Sequence, residues 1–488
     1  MAYGTDMWCF YDRLFIGGEW VRPASTNTIR VVSASTEEVI GAVPQGNETD
    51  ADAAVAAARR AFDDPTGWST WSPGQRADAM LRLATALDKY SGITAIRVSS
   101  QNGMPLSISK QTEAVMPATL LRYYAGLIRD IPVEERRPSQ VRGTTAVHKE
   151  PLGVVAAIVP WNFPQSLTFF KLAPALAAGC TVVIKPSPET VLDAFLLADA
   201  VEEAGLPPGV VNIVTGGGRT VGAHLVNHPG VDKVAFTGST EAGRTIAEQC
   251  GRLLKPATLE LGGKSAGILL DDVDLARSMR SMFAATLLNN GQTCFISTRI
   301  LAPEHRYDEV VEAFTAMASS LRVGDALDSK TQIGPVATAR QRQSIEAYIA
   351  RGKNEGARIT TGGRRPADLD RGWFVEPTIF AEVDNGAAIA QEEIFGPVLS
   401  IIRYRNEDEA VKIANDSAYG LGGTVWTADT ERGLAVARRI QAGAVGVNGF
   451  TLDHGAPFGG VKSSGLGREL GPEGLSPYQQ LKSVYLPA

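Results

Sequence analysis

The sequence predicts an α/β fold made of two parallel-sheet units and a small β arm. Three observations predict it. From Gly153 onward, short β-branched runs alternate with helical segments at a spacing that calls for parallel strands joined by right-handed crossovers. A second alternating set of the same kind follows Gly262. Two further strand-like segments, 142–149 and 481–486, fit neither set.

Taken in chain order, the first elements are scaffold helices. Asp50 is placed to cap a helix over 51–62, and Ser72-Pro73 opens a second one with Met80, Leu83, Ala84 and Leu87 on one face. The first sheet is then expected from strands at 154–159, 181–184, 210–214 and 233–236. Its helices end at Gly179, span 190–204 and span 240–250. The second sheet is expected from strands at 298–301, 398–404, 424–426 and 444–447. The segment 142–149 alternates Thr144, Ala146 and His148; with 481–486 it reads as an exposed edge strand in need of a partner. No repeat of solenoid period and no low-complexity segment interrupts this order.

Composition narrows the function classes. The 488 residues allow two to four domains at roughly 150 residues each. With 44% hydrophobic and 20% charged residues, the chain is of ordinary globular type rather than disordered. The 47 Lys and Arg against 53 Asp and Glu give a net charge of −6 without a basic run, which argues against a nucleic-acid or anionic-membrane surface. The longest apolar stretch, 172–184, is broken by Pro174, Gly179 and Thr181 and is shorter than the roughly 18 residues of a membrane span, so no membrane partner is expected. Asp6, Asp12 and Arg13 among scattered aromatics do not form a signal peptide, and the expected compartment is the cytoplasm. Cys9, Cys180, Cys250 and Cys294 lie far apart with no metal-ligand spacing, so neither disulfides nor a metal site is expected and a functional cysteine would act as a thiol.

Several residues carry chemistry in their setting. Cys294 follows a glycine in Gly291-Gln292-Thr293-Cys294-Phe295, which taken alone reads as a buried core cysteine ahead of a nucleophile. Glu260 ends an apolar run before Gly262-Gly263-Lys264; it is either paired with Lys264 or desolvated as a general base. Asn162, between Pro160 and Pro164, stands at the carboxyl end of the 154–159 strand, where open α/β sheets form ligand crevices. It could form an Asx turn or aim its amide at a developing oxyanion. Gly238-Ser239-Thr240, at a strand-to-helix junction, suits a phosphate or a plain helix cap. Lys185 ends its strand over the same sheet edge, as a solvated lysine or a ligand contact.

Seven motifs in one order, PWNFP (160–164), IKPSP (184–188), FTGSTEAG (236–243), LELGGKS (259–265), GQTC (291–294), EEIFGPV (392–398) and PFGGVKSSGLGRE (457–469), closely resemble the aldehyde dehydrogenase superfamily across the whole chain. The resemblance implies that family's fold: a Rossmann-like cofactor domain (1–131 and 151–260), an α/β catalytic domain (261–456) and a small β oligomerisation element (132–150 and 470–488). Its arm strands would pair across subunits of a homodimer or homotetramer. The resemblance implies Cys294 as the nucleophile, Glu260 as the general base and Asn162 as the oxyanion-hole amide. Ile158, Trp161, Lys185, Gly218, Phe236, Gly238, Ser239, Leu261, Glu393 and Phe395 would line the cofactor cleft, and Lys171 and Glu469 a proton path. The implied cofactor is NAD. Pro188 stands where many NAD-preferring members carry a glutamate, which admits NADP, while no arginine is evident at the site to attract a 2′-phosphate.

The implied reaction is aldehyde oxidation to a carboxylic acid through a Cys294 thiohemiacetal and thioester. Phe163, Leu167, Phe170, Phe295, Leu452 and Phe458 are the implied pocket wall, which points to an apolar aldehyde, aromatic or of medium chain length. A CoA-acylating dehydrogenase would pass the thioester to CoA, against which Glu260 argues. A silent binding protein on the same fold would be expected to lose Cys294, Glu260 or Asn162, and all three are present.

Overall fold

The computed structural model describes residues 9–487; Asp6, one of the residues that speak against a signal peptide, lies outside the described residues. The first large sheet has eight strands in the order Gly465–Leu466, Ala257–Glu260, Lys233–Thr237, Val154–Ile158, Thr181–Lys185, Val211–Ile213, Leu14–Ile16 and Glu19–Val21. Its central strands pair in parallel and are buried along their whole length, as continuous β-branched runs such as Val154-Val155-Ala156-Ala157-Ile158 require. Register gathers the strand ends. Ile158 lies beside Lys185 and Phe236, and Thr237 beside Glu260, so four strands end together at one edge of the sheet.

The second sheet has seven strands in the order Arg358–Thr361, Thr378–Ala381, Val398–Tyr404, Ser297–Pro303, Ser265–Leu269, Gly422–Trp426 and Ala444–Val447. Helices cover both faces of each sheet, and each large sheet has an apolar core on either side. Among the described residues no helix is long and apolar enough to cross a membrane.

The helix signals hold in kind. Ser72 caps Pro73–Asn102 in a capping box with Gln75, and Gly179 closes Pro164–Ala178 in the left-handed region at φ 97°. The first helix differs. It is Glu48–Asp63, capped by Asn47, and Asp50 is the third helical residue whose carboxylate returns to the Asn47 N–H. Asp50 thus completes the box rather than capping the helix, because Asn47 offers the cap one turn earlier.

The two strands outside the large sheets pair with each other. Thr144–Pro151 is the middle strand of a three-stranded antiparallel sheet, with Gln479–Leu486 on one side and Glu134–Pro138 on the other. Pairing within one chain corrects the expectation that 142–149 finds its partner across subunits: both of its edges are already used. The outer strand Gln479–Leu486 keeps one free edge and exposes Leu481 and Tyr485.

Candidate active site

The loop that carries Cys294 is set by backbone conformation. After the helix Leu275–Leu287, Asn289 and Asn290 both adopt left-handed φ, 51° and 60°, and Gly291 follows at 75°. Asparagine is the residue apart from glycine that accepts this region most readily. A side chain on Gly291 would run into the Gly396 carbonyl, so only glycine fits there. Asn290 is fully committed: Nδ2 donates to the carbonyls of Gly103 (2.8 Å) and Pro335 (2.9 Å), and Oδ1 accepts from the Gly334 N–H (2.7 Å).

Asn162 is buried beside this loop, and its Nδ2 donates to the Gln292 carbonyl at 3.0 Å. Its own carbonyl accepts from Asn102 Nδ2 (3.1 Å) and Asn289 Nδ2 (3.0 Å), so an amide network joins the predicted oxyanion residue to the nucleophile loop instead of forming an Asx turn. Asn102 and Asn289 were not singled out from sequence; they lie 187 positions apart and carry no motif signal, whereas Gln292 lies in the GQTC motif without a role assigned to it. Among the described residues no cysteine is disulfide-bonded, and Cys294 is the one that is not fully buried. Burial, then the carboxyls of Glu393 and Glu260, push its thiol well up.

Cys294 and Asn162 line a cavity of about 400 Å³ together with Trp161, Leu261, Glu393 and Phe395. Trp161 meets Phe395 edge-on, with ring centroids 5.3 Å apart. Phe395 has an unusual φ of 54°, and its turn is held by Gln341, whose Nε2 donates to the carbonyls of Ile394 (3.0 Å) and Phe395 (2.8 Å). Glu393 accepts from the Gly263 N–H at 2.9 Å, and burial pushes its carboxyl up to about 7.

A second cavity of about 530 Å³ is lined by Ile158, Gly218 and Phe236. The two cavities share Ser239, the cap of the helix Thr240–Arg252, whose Oγ accepts from the Ala242 N–H at 3.3 Å. A Cβ on Gly238 would strike the Phe236 ring, which keeps the backbone open at this junction. Two lobes joined at a helix N-terminus fit a dinucleotide, with its phosphates at the junction. Lys185 is buried rather than solvated: its Nζ donates to the carbonyls of Pro186 (2.8 Å) and Gly216 (3.2 Å), and desolvation lowers its amine to about 8. The expectation that no arginine stands at the site is corrected. Arg219 and Arg340 both line the second cavity, and neither belongs to the motifs that located the cleft.

Glu260 faces a different set of groups. Its carboxyl is buried, neither oxygen has a hydrogen-bond partner, and a Cβ on Gly459 would come within 2.6 Å of Oε1. Burial, and then the neighbouring Glu469, raise its pKa well above the usual carboxyl value. Lys264 is no ion-pair partner for it; desolvation lowers that amine to about 7, with Arg299 pushing the same way. Lys171 and Glu469 meet in a fully buried ion pair at 2.8 Å, and Lys171 Nζ also reaches Thr237 Oγ1 at 2.6 Å.

The six predicted wall residues fall in one apolar cluster with Cys294. Phe170, Phe458 and Leu167 are buried there, and Phe163, Phe295 and Leu452 are partly exposed against it. Phe295 meets Phe458 edge-on at 6.0 Å and stacks on Phe450 at 4.6 Å. Phe450 was not among the predicted wall residues.

One histidine pair carried no signal in the sequence. His224 and His228, four residues apart, bring ring nitrogens to 2.6 Å and 3.2 Å from Asp52 Oδ1. His228 Nδ1 accepts from the Gly230 N–H, so its Nε2 holds the proton shared with Asp52. That arrangement is a hydrogen-bonded cluster around Asp52, with His228 neutral in it.

Comparison with known proteins places this geometry. The model of the aldehyde dehydrogenase family matches residues 20–484. The chain belongs to that family. It is 56% identical over 476 residues to the geranial dehydrogenase of Castellaniella defragrans, covering 98% of this chain and 99% of the relative. Among solved structures, the Mycobacterium tuberculosis aldehyde dehydrogenase complexed with NAD+ superposes with a TM-score of 0.96 at 46% identity, over 98% of this chain and 99% of the other. A point mutant of aldehyde dehydrogenase C from Pseudomonas syringae, complexed with NAD+ and octanal, gives 0.94 at 40% identity, over 97% and 96%. The expected aldehyde dehydrogenase fold therefore stands, and the reaction class of this enzyme is aldehyde oxidation.

Proposed function

We propose that this aldehyde dehydrogenase oxidises an apolar aldehyde, aromatic, terpenoid-like or of medium chain length, to its carboxylic acid with NAD as the hydride acceptor. The observation that carries the reading is the convergence of Cys294 and the Asn162 amide in one cavity with Glu393 and Phe395. The apolar cluster around Cys294 supports the substrate class, since it offers aromatic surface to the aldehyde. The geranial and octanal of the relatives are of the same character.

Cys294 releases its thiol proton to solvent once the positive charge of bound NAD would offset the Glu393 and Glu260 carboxyls, and the thiolate attacks the carbonyl carbon to form the thiohemiacetal. The developing oxyanion is met by the Asn162 Nδ2 and the Cys294 backbone N–H, a contribution of about 3–4 kcal/mol for a single well-aimed donor. Bound NAD supplies the acceptor for the departing hydride, after which Cys294 carries a thioester. Trp161, Leu261, Glu393 and Phe395 hold the nicotinamide end; Ile158, Lys185, Gly218 and Phe236 hold the adenosine end; Gly238 and Ser239 meet the phosphates. Glu260 then takes a proton from water as the thioester is hydrolysed, and Lys171 with Glu469 relays it. We further assign 1–131 with 151–260 to the cofactor domain, 261–456 to the catalytic domain, and 132–150 with 470–488 to an assembly element of a cytosolic dimer or tetramer.

Absorbance at the reduced-nicotinamide band tests this with purified protein, NAD or NADP, and aliphatic, aromatic and acidic aldehydes. Turnover confined to acidic aldehydes would overturn the substrate class. Acyl transfer that requires CoA would overturn the hydrolytic step.

A further inference from the structure

We propose that Arg340 grips the cofactor's pyrophosphate from across the cleft, so that the dinucleotide is held by both sheet units at once. Among the described residues, only Ser239 and Arg340 line both cavities. They come from opposite sides. Ser239 caps a helix of the first unit, whereas Arg340 is the second residue of Ala339–Asn354, a helix packed in the second.

Arg340 is exposed, and no ion pair or hydrogen bond engages its guanidinium among the described residues. Nearby arginines on the same helix are committed: Arg342 donates to the Gly372 carbonyl, and Arg351 pairs with Glu355 and Glu392. An uncommitted planar fork at the junction of two lobes is suited to bidentate contact with phosphate oxygens. The acids that share these cavities do not occupy it. Glu189 is bonded by Ser187 Oγ, and Glu393 by the Gly263 N–H; Glu241 lines the adenosine lobe.

Gln341, the next residue along the helix, holds the carbonyls of Ile394 and Phe395, so one helical turn would read the phosphates and fix the wall of the nicotinamide lobe. A phosphate seated under Arg340 is thereby brought into register with Phe395. This role for Arg340 rests on the cleft's being a dinucleotide site.

Calorimetric titration of the full-length wild-type, Arg340→Ala and Arg340→Lys proteins with NAD, NADP, ADP-ribose and adenosine separates the possibilities. Arg340→Ala is expected to weaken NAD and ADP-ribose by about tenfold, to leave adenosine within about twofold, and to be partly rescued by lysine. The Michaelis constant for the aldehyde should not move. Unchanged NAD affinity would overturn the proposal, as would an equal loss for adenosine or a loss confined to NADP, which would move Arg340 to the adenosine end. Failure of the wild-type protein to bind any dinucleotide would instead overturn the cofactor reading beneath it.

Discussion

The Asn162 side chain donates to the Gln292 carbonyl at 3.0 Å, which ties the oxyanion amide to the loop carrying Cys294 two residues later. The proposed oxyanion donor is thereby fixed to the loop of the proposed nucleophile. Asn162→Ala is expected to lower kcat by about 10²–10³-fold, with NAD affinity retained, because the lost donor acts on charge that develops only during reaction. Steady-state kinetics with a parallel cofactor titration checks both halves. A change in KM alone would mean that the amide merely binds substrate.

Cys294→Ala is expected to abolish aldehyde oxidation while cofactor binding persists. The cavity keeps its other lining groups, and the substitution removes only the atom that attacks. Residual turnover near the wild-type rate would remove Cys294 from the mechanism.

Glu260→Gln is expected to give a single burst of NADH and then stall at the thioester, visible by stopped-flow absorbance. The wild-type pH profile is expected to follow this carboxyl, whose pKa is raised by burial and then by Glu469. An acid whose pKa is raised stays protonated into higher pH, and only its deprotonated form can accept a proton from water. Hydrolysis should therefore climb as pH rises through that value, and the ascending limb should vanish in Glu260→Gln. A pH profile identical in both proteins would assign the limb to another group.

What the sequence made legible was local. The alternation of buried β-branched strands with helices set the two sheets, and motif order placed Cys294, Asn162, Glu393 and Phe395, which the fold brings to one cavity. What it hid was pairing at a distance. Asn47 and Asp50 divide the cap between them, so either could be read as the cap. The strand 144–151 finds one of its two partners more than 300 residues away, and nothing in either segment names the other. Arg219 and Arg340 were invisible as cleft residues because a cation's neighbours are decided by tertiary packing.

Arg299 is a stability counterpart to these site residues. It is buried in the second sheet, and its guanidinium donates to the carbonyls of Lys264, Ile413 and Ala414 and to Asn385 Oδ1. Arg299→Met is expected to destabilise the fold by about 3 kcal/mol or more, since buried carbonyls left unpaired cost about 1–3 kcal/mol each. Denaturant unfolding measures it; a loss under about 1 kcal/mol would mean that water takes over those bonds.

The outer arm strand offers an assembly test. Leu481 and Tyr485 stand exposed on a strand with one free edge. Leu481→Lys with Tyr485→Glu is expected to shift a dimer or tetramer toward the monomer in analytical ultracentrifugation. An unchanged sedimentation profile would place the assembly surface elsewhere.

The locked asparagine in the nucleophile loop has a consequence for how the protein ages. Asn290-Gly291 is the dipeptide in which the following amide nitrogen most easily attacks the side chain, closing a succinimide that opens to aspartate or isoaspartate. In the folded enzyme the Asn290 amide is buried and held by three hydrogen bonds, so the ring closure has no room to begin. Only unfolded or newly made chains are exposed to that chemistry. A molecule damaged there would lose the geometry that presents Cys294, and folding quickly is thus also a means of protecting the covalent integrity of the chain.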